Sequence, residues 1–245
     1  MNFDILDKDL LTKDTYAIDI GCGTGRFTKY LLPRLGFMEA IDPSNAIYTA
    51  DKLLGNAPNV RLSQASIDNI PFPDETFDFG MCIGVLHHIP DTQKGMINCV
   101  KKIKPGGHFY TYLYYNLENR GFFFKFLFAI ATGIRKVISS LPEGLKKFCC
   151  DLLAVIFYMP FVLAGRFFKM IGLKKLAANT PLAGYQPQTF FVIRNDSLDR
   201  FGTKLEQRFS KQQVIDMMTK AGLSDIVVSE GLPLWHAIGR RTAKL

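Results

Sequence analysis

Asp19, Gly21, Gly23 and Gly25, spaced as D-x-G-x-G-x-G, are the residues whose types and spacing most clearly invite chemistry. They follow the apolar run Tyr16–Ile20 and open onto the helical spacing of Phe27, Tyr30 and Leu31. Three positions without a Cβ let backbone pass close to a flat, polar ligand. An acid beside them can meet a cationic or hydroxyl group. A second apolar run, Phe37–Ile41, ends in another acid, Asp42. Further on, His87 and His88 follow the strand-like run Phe77–Ile83. Two readings of that pair stay open. One has His88 as a base or substrate contact; the other has one histidine capping a helix and the other packing. Cys22, inside the glycine stretch, has nothing nearby in the sequence to lower its pKa and reads as a small filler.

The elements that must position these residues alternate strand and helix. Strands are expected at Tyr16–Ile20, Phe37–Ile41, Val60–Ala65, Phe77–Ile83 and His108–Tyr115. Helices are expected at Arg26–Leu35 (closed by Gly36), from Ser44 to Leu54, and at Asp91–Ile103, closed by the turn Lys104-Pro105-Gly106-Gly107. That alternation means βαβ units and a parallel sheet covered on both faces. Ligands in such sheets bind beyond the carboxyl ends of the strands. Gly21–Gly25, Asp42, the stretch after Ala65 and the stretch after Cys82 all fall there. Near the end of the chain, Ser210–Gln213 is a capping box opening a helix that Gly222 stops, and two strands follow, Ile226–Ser229 and Leu234–Gly239, joined by a turn at Gly231–Pro233.

Composition narrows the class. The chain has 245 residues, 48% hydrophobic, with 21 Phe and a net charge of +8, which excludes a disordered chain. Five cysteines without C-x-x-C spacing argue against a zinc site or disulfide framework and for a reducing cytoplasm. No metal is expected. The first fifteen residues, with four Asp, read as a polar leader helix or arm and not as a targeting peptide. After Tyr115 the spacing turns helical, with one stripe from Phe123 to Leu141, a second from Leu145 to Ile156, and a third helix opened by Pro160. Between Asn116 and Thr180 ten basic residues face three acidic ones, a local charge of +7. A basic, Phe-rich segment suits an anionic lipid surface. Its longest charge-free run, Leu152–Gly165, is fourteen residues and contains Pro160, so a spanning helix is not expected. Residues 179–199 read as polar and turn-rich.

With these elements placed, the chain resembles the class I S-adenosylmethionine-dependent methyltransferases of the small-molecule, type 11 pattern, over residues 16–115 and 208–245. Asp19-x-Gly21-x-Gly23-x-Gly25 resembles their first motif, Pro71–Asp78 their turn into strand four, Gly84–Ile89 their following helix entry and Lys104–Gly107 their turn into strand five. The resemblance implies a Rossmann-like α/β fold, a seven-stranded sheet, mostly parallel with an antiparallel last strand. Its core would be residues 1–115 and 205–245, with a helical, basic cap or insert over 116–204. It implies S-adenosylmethionine as cofactor and S-adenosylhomocysteine as product. Cofactor contacts carried over are Asp19, Gly21, Cys22, Gly23, Gly25, Asp42, Pro43, Ser66, Ile67, Asp68, Cys82 and Val85. Asp42 takes the place of the acid that accepts hydrogen bonds from both ribose hydroxyls. One departure stands out: Ser66 occupies the position where the family commonly has an Asp for the adenine amino group, with Asp68 two residues on. His88 is the candidate base, and His87, Tyr115, Tyr185, Arg200 and Trp235 are candidate substrate contacts.

The expected function is methyl transfer to a small or amphiphilic, lipid-like acceptor, at an anionic membrane surface. The alternatives are a soluble sugar, thiol or metabolite with the insert as lid, a nicotinamide oxidoreductase, or a non-catalytic cofactor-binding protein. The expected location is the cytoplasm or its membrane face. No aromatic-and-basic channel suggests a nucleic-acid substrate. Neither the acceptor atom nor the oligomeric state can be read.

Overall fold

The computed structural model describes residues 3, 5–7, 9–55, 57–116, 121–229 and 234–242. Its backbone divides into two compact units, 1–118 with 205–245, and 119–204.

The first unit is built on one seven-stranded sheet. Its strands are β1 (Tyr16–Ile20), β2 (Phe37–Ile41), β3 (Val60–Ser63), β4 (Phe77–Ile83), β5 (Ile103–Tyr114), β6 (Leu223–Val228) and β7 (Leu234–Arg241), in the order β3-β2-β1-β4-β5-β7-β6. Strands β1 to β5 pair in parallel, while β7 runs antiparallel to both its neighbours. The continuous burial of Ala17, Ile18 and Ile20 in β1 and of Phe79, Met81 and Cys82 in β4 is what a sheet covered on both faces demands. Helices α1 (Arg26–Leu31), α2 (Ala46–Leu54), α3 (Thr92–Lys101) and α9 (Lys211–Lys220) complete this unit. The Ser210–Gln213 capping box forms, and Gly222 follows α9 in the left-handed conformation. The turn expected at Gly231–Pro233 lies outside the described residues.

Two local expectations are corrected, and one alternative is decided. Among the described residues the start of the chain is an arm without helix; Phe3, Leu6 and Leu11 are buried in the core, and Phe3 stacks on Tyr30 at 5.3 Å. Helix α1 stops at Leu31 and tightens into a 3₁₀ turn over Leu32–Arg34, because Pro33 has no N–H to continue it. Lys104–Gly107 lies inside β5 as a bulge, where pairing slips from Phe77↔Ile103 to Phe79↔His108.

The second unit is helical. It comprises α4 (Phe122–Ser139), α5 (Glu143–Leu153), a π-helical segment (Ala154–Tyr158), α6 (Met159–Met170), α7 (Lys174–Asn179) and α8 (Phe190–Gly202). Two expectations fail here. Pro160 does not break the chain into separate helices, because the wider π turns just before it absorb the missing N–H and the ring. Glu143–Met170 is therefore one helix of 28 residues, long and apolar enough by length and composition to cross a membrane. The region read as turn-rich holds α8. Its start is capped by Thr189, whose hydroxyl accepts from Val192 N, and its contact face carries only Ile193 and the small Ser197 and Gly202 as buried residues. With four of its apolar residues adjacent at its start, Phe190–Ile193, the helix has little apolar periodicity to reveal it. Packing makes it: Ser197 Oγ donates to Cys150 O at 2.7 Å, and Arg194 Nε pairs with Asp151 at 2.7 Å.

The bulge in β5 yields a stability prediction. A Cβ on Gly107 would stand 2.6 Å from the Asp78 carbonyl oxygen, a backbone atom held by the β4–β5 ladder. Gly107→Ala should destabilise the protein by about 1–3 kcal/mol. Urea unfolding measures this; an unchanged midpoint would show that the bulge shifts freely.

Candidate functional site

Asp19 lies near the carboxyl end of β1 and is 1% exposed. Thr28 Oγ1, on α1, donates to its Oδ2 at 2.6 Å. Burial, and to a smaller degree the nearby Asp42 charge, push its pKa up to about 7 despite that bond. The chain then folds back across the end of β2: Gly21 N and Cys22 N both donate to Ile41 O, at 2.7 and 3.0 Å. Gly21, Gly23 and Gly25 all take positive φ. Gly21 also needs its bareness for space, since a Cβ there would meet Val85 Cγ2 at 2.3 Å. This close approach brings the ends of β1 and β4 together at the point where the strand order reverses. A Cβ on Gly23 would meet nothing within 4 Å, so this part of the loop faces open space.

Asp42 caps β2 and fixes the loop from the other side. Its Oδ2 accepts from Gly23 N at 2.9 Å, and its Oδ1 from Ser44 N at 2.8 Å and Ser44 Oγ at 2.5 Å. A carboxylate offers roughly four acceptor positions, so a ligand diol would take the remaining one and compete with the Ser44 hydroxyl. Ser44 is thus tied to Asp42, and the residue immediately before α2 is Asn45.

Beyond β3, Ser66 is half-buried, Ile67 buried and Asp68 exposed. Asn98 on α3 holds this turn by donating to Ile67 O at 3.2 Å. Pro43 is exposed beside Asp42. Beyond β4, Val85 faces the glycine loop. Cys82 is placed differently from expectation: its side chain is fully buried against Cys99 of α3 and its carbonyl accepts from Thr111 Oγ1, which gives it a packing role. Burial also pushes the Cys22 thiol far up, so it is not a ready nucleophile.

The histidines sit in a 3₁₀ turn, Leu86–His88, clamped by residues from much later in the chain. Gln207 N donates to His87 O at 2.8 Å, Gln207 Nε2 to Ile89 O at 2.6 Å, and His88 Nδ1 lies 2.8 Å from Leu205 O. A carbonyl can only accept, so His88 carries its proton on Nδ1 and presents Nε2 as its basic nitrogen. His87 is fully buried and stacks on Tyr114 at 3.9 Å. Gln207 was not read as a positioning residue; more than a hundred residues separate it from the turn it clamps, and no local pattern marks such a contact. Nearby, Arg208 pairs with Glu206 at 2.7 Å and covers the Tyr114 ring.

The remaining candidate substrate contacts are not brought together. Tyr115 is fully buried edge-on to Trp235, whose Nε1 donates to Phe209 O at 2.8 Å, so both are packing residues. Tyr185 and Arg200 belong to the helical unit, where Tyr185 meets Tyr158 edge-on and Arg200 lies 3.9 Å from Asp196.

The residues present fit a ligand with a cation and a diol: a buried carboxyl with no cation beside it among the described residues, an open glycine cradle and a carboxylate with acceptor room. Among the described residues no His, Cys, Asp and Glu cluster is arranged for a metal. Comparison with known proteins agrees. Residues 18–111 match the type 11 family, described as a methyltransferase domain. Curated relatives include a ubiquinone biosynthesis O-methyltransferase of Coxiella burnetii, 27% identical over 141 residues, covering 57% of this chain and 58% of the relative. The protein of the same name from Marinobacter nauticus is 29% identical over 156 residues, covering 60% and 63%. The matches thus span about three fifths of those relatives' length. Among solved structures, a SAM-dependent methyltransferase from Methanosarcina mazei aligns with TM-score 0.59 and 14% identity, over 100% of this chain and 99% of that one. Another from Aquifex aeolicus gives 0.54 and 14%, over 97% and 87%. Likeness at that identity concerns the fold. The core unit thus has the fold seen in those methyltransferases, and its residues 18–111 match the methyltransferase domain of the type 11 family.

The raised pKa of Asp19 links protonation to both folding and binding. The folded state holds this proton more tightly than the unfolded chain, whose value is 3.8, so stability falls as pH rises from about 4 to about 7 and then levels. A cationic ligand reverses the preference, since it pairs with the ionised form. Affinity for S-adenosylmethionine should therefore rise about tenfold between pH 6 and pH 8, and Asp19→Asn should flatten that dependence. Calorimetric titration across this range decides it; a flat wild-type profile would place the cation elsewhere.

Proposed function

We propose that this chain is an S-adenosylmethionine-dependent methyltransferase acting on a hydroxyl of a small amphiphilic acceptor. The observation that carries the cofactor assignment is the glycine loop pinned by Asp42, with the buried Asp19 beneath it. The relatives that are ubiquinone biosynthesis O-methyltransferases support an oxygen acceptor on an amphiphilic molecule. When bound, S-adenosylmethionine supplies an electrophilic methyl. The chain's own task is then to hold both partners in line and to keep water away.

Asp42 and the amides around Gly21–Gly25 would hold the nucleoside and methionine portions, with Asp19 countering positive charge. The turn at Ser66–Asp68 would border the base, with Ser66 accepting one hydrogen bond where a carboxylate would accept more strongly. A hydroxyl acceptor must also lose its proton. His88 is the candidate base, with Nδ1–H fixed on Leu205 O and Nε2 as its acceptor nitrogen. Gln207 acts through that turn as a positioning residue.

Transfer of labelled methyl from S-adenosylmethionine to a prenylated catechol, against the same ring without its tail, tests the reading. Asp42→Ala should weaken cofactor binding roughly tenfold or more through lost charge-assisted hydrogen bonds. His88→Ala should leave cofactor affinity unchanged and lower kcat about a hundredfold or more, with loss of the acidic limb of the pH profile. Equal turnover of both acceptors would remove the amphiphile from the proposal. Absence of cofactor binding at millimolar ligand would remove the activity itself.

A further inference from the structure

Twenty of the twenty-five large apolar side chains exposed among the described residues lie between Phe122 and Phe191, in the helical unit. Soluble domains rarely leave so much contiguous apolar surface in water. On the long helix Glu143–Met170 the exposed set includes Phe148, Leu152, Val155, Leu163, Phe167 and Met170. A different stripe is buried: Cys150, Ala154, Tyr158, Val162 and Gly165. Helix α4 leaves its own row open, Phe122, Phe126, Ile130, Ile134 and Val137, at three- and four-residue steps.

The charge of the same segment identifies what covers these faces. Lys136 lies near the end of α4, Lys147 in the first turns of the long helix, and Lys169, Lys174 and Lys175 at and beyond its far end, all exposed. A protein partner core would bring no reason for +7; an anionic bilayer does, because basic side chains at its level meet lipid phosphates while the apolar row enters the acyl region.

Length and composition would let Glu143–Met170 span that bilayer, but its packing does not. Helix α8 lies along it, and its polar groups meet the long helix well inside its ends. Arg194 pairs with Asp151, Tyr158 Oη donates to Asp196 at 3.2 Å, and Asp196 lies 3.9 Å from Arg200. Arg194, Asn195 and Arg200 are exposed besides. A transverse helix would carry these charges into hydrocarbon, where ionised groups are strongly disfavoured. In the membrane plane, α8 and its charges stay in water.

We propose that residues 119–204 form a monotopic membrane module, in which the 28-residue helix lies parallel to an anionic phospholipid surface with Phe148, Leu152 and Phe167 in the acyl layer and α8 on the aqueous side. This stands apart from the acceptor's identity, and cofactor affinity measured on the same samples separates the two. The full chain is mixed with phosphatidylcholine vesicles with or without phosphatidylglycerol and sedimented. Binding is expected to require phosphatidylglycerol at low salt. The exposed-face variant Phe148→Glu/Leu152→Glu/Phe167→Glu should lose about tenfold or more in vesicle affinity while keeping cofactor affinity and helical circular dichroism. Lys174→Glu/Lys175→Glu should weaken binding to the phosphatidylglycerol vesicles and make what remains less sensitive to salt. A tryptophan at Leu152→Trp should be quenched by lipids brominated near the headgroup and little by lipids brominated at the chain end. Three outcomes overturn the proposal: protein left in the supernatant, a lipid-free dimer that the triple variant dissociates, or quenching strongest at the chain end.

Discussion

A carboxyl buried at the end of the central strand sets the terms for the rest of the core. Asp19 sits between β2 and β4, out of water, and its desolvation is offset in the fold by one short bond from Thr28. That bond ties the first helix to the first strand across the glycine loop. The loop in turn is stitched to the end of β2 through Ile41 O and Asp42. The bareness of Gly21 lets Val85 close in from β4. An acid whose pKa is raised by burial is costly to ionise in the fold and is well used by a ligand that carries positive charge. Folding and ligand recognition therefore draw on the same group.

The second constraint concerns continuity. Residues 116 and 209 are neighbours in space: Phe209 N donates to Tyr114 O at 2.8 Å and Asn116 N to Phe209 O at 3.1 Å. Within the core unit these bonds join the two ends of the segment between them. Its presence costs the sheet little, because closure entropy grows only slowly with the length enclosed. Re-entry also does work for the site, since residues 205–209 clamp the His87–His88 turn before the chain continues into α9.

Much of the core was legible because its signals are local. Apolar runs ending in Asp19–Gly25 and Asp42, the β4 segment Phe77–Ile83 and the Ser210 capping box each depend on residues a few positions apart. Misreadings arose where a distant partner decides. Lys104–Gly107 has turn composition, yet the β4 ladder draws it into a strand as a bulge. Pro160 reads as a helix break, yet five residues of π-helix carry the chain through it. Helix α8 has no clear apolar stripe in sequence, yet Ile193 joins Ala154, Tyr158 and Val162 of the long helix while Ser197, Arg194 and Asp196 bond to it.

By itself the sequence determined the strand–helix alternation, the acid-and-glycine loop and the concentration of positive charge and Phe in one segment, since these follow from residue type and short spacing. Tertiary structure alone decided that Asp19 is stripped of water, that Cys82, Tyr115 and Trp235 are spent on packing, and that Gln207 and Leu205 orient the histidines. It also decided which face of the long helix is left open. The physical reason is common to all of these: burial, tautomer and exposure are properties of what a side chain is brought against, and those neighbours come from tens to more than a hundred residues away.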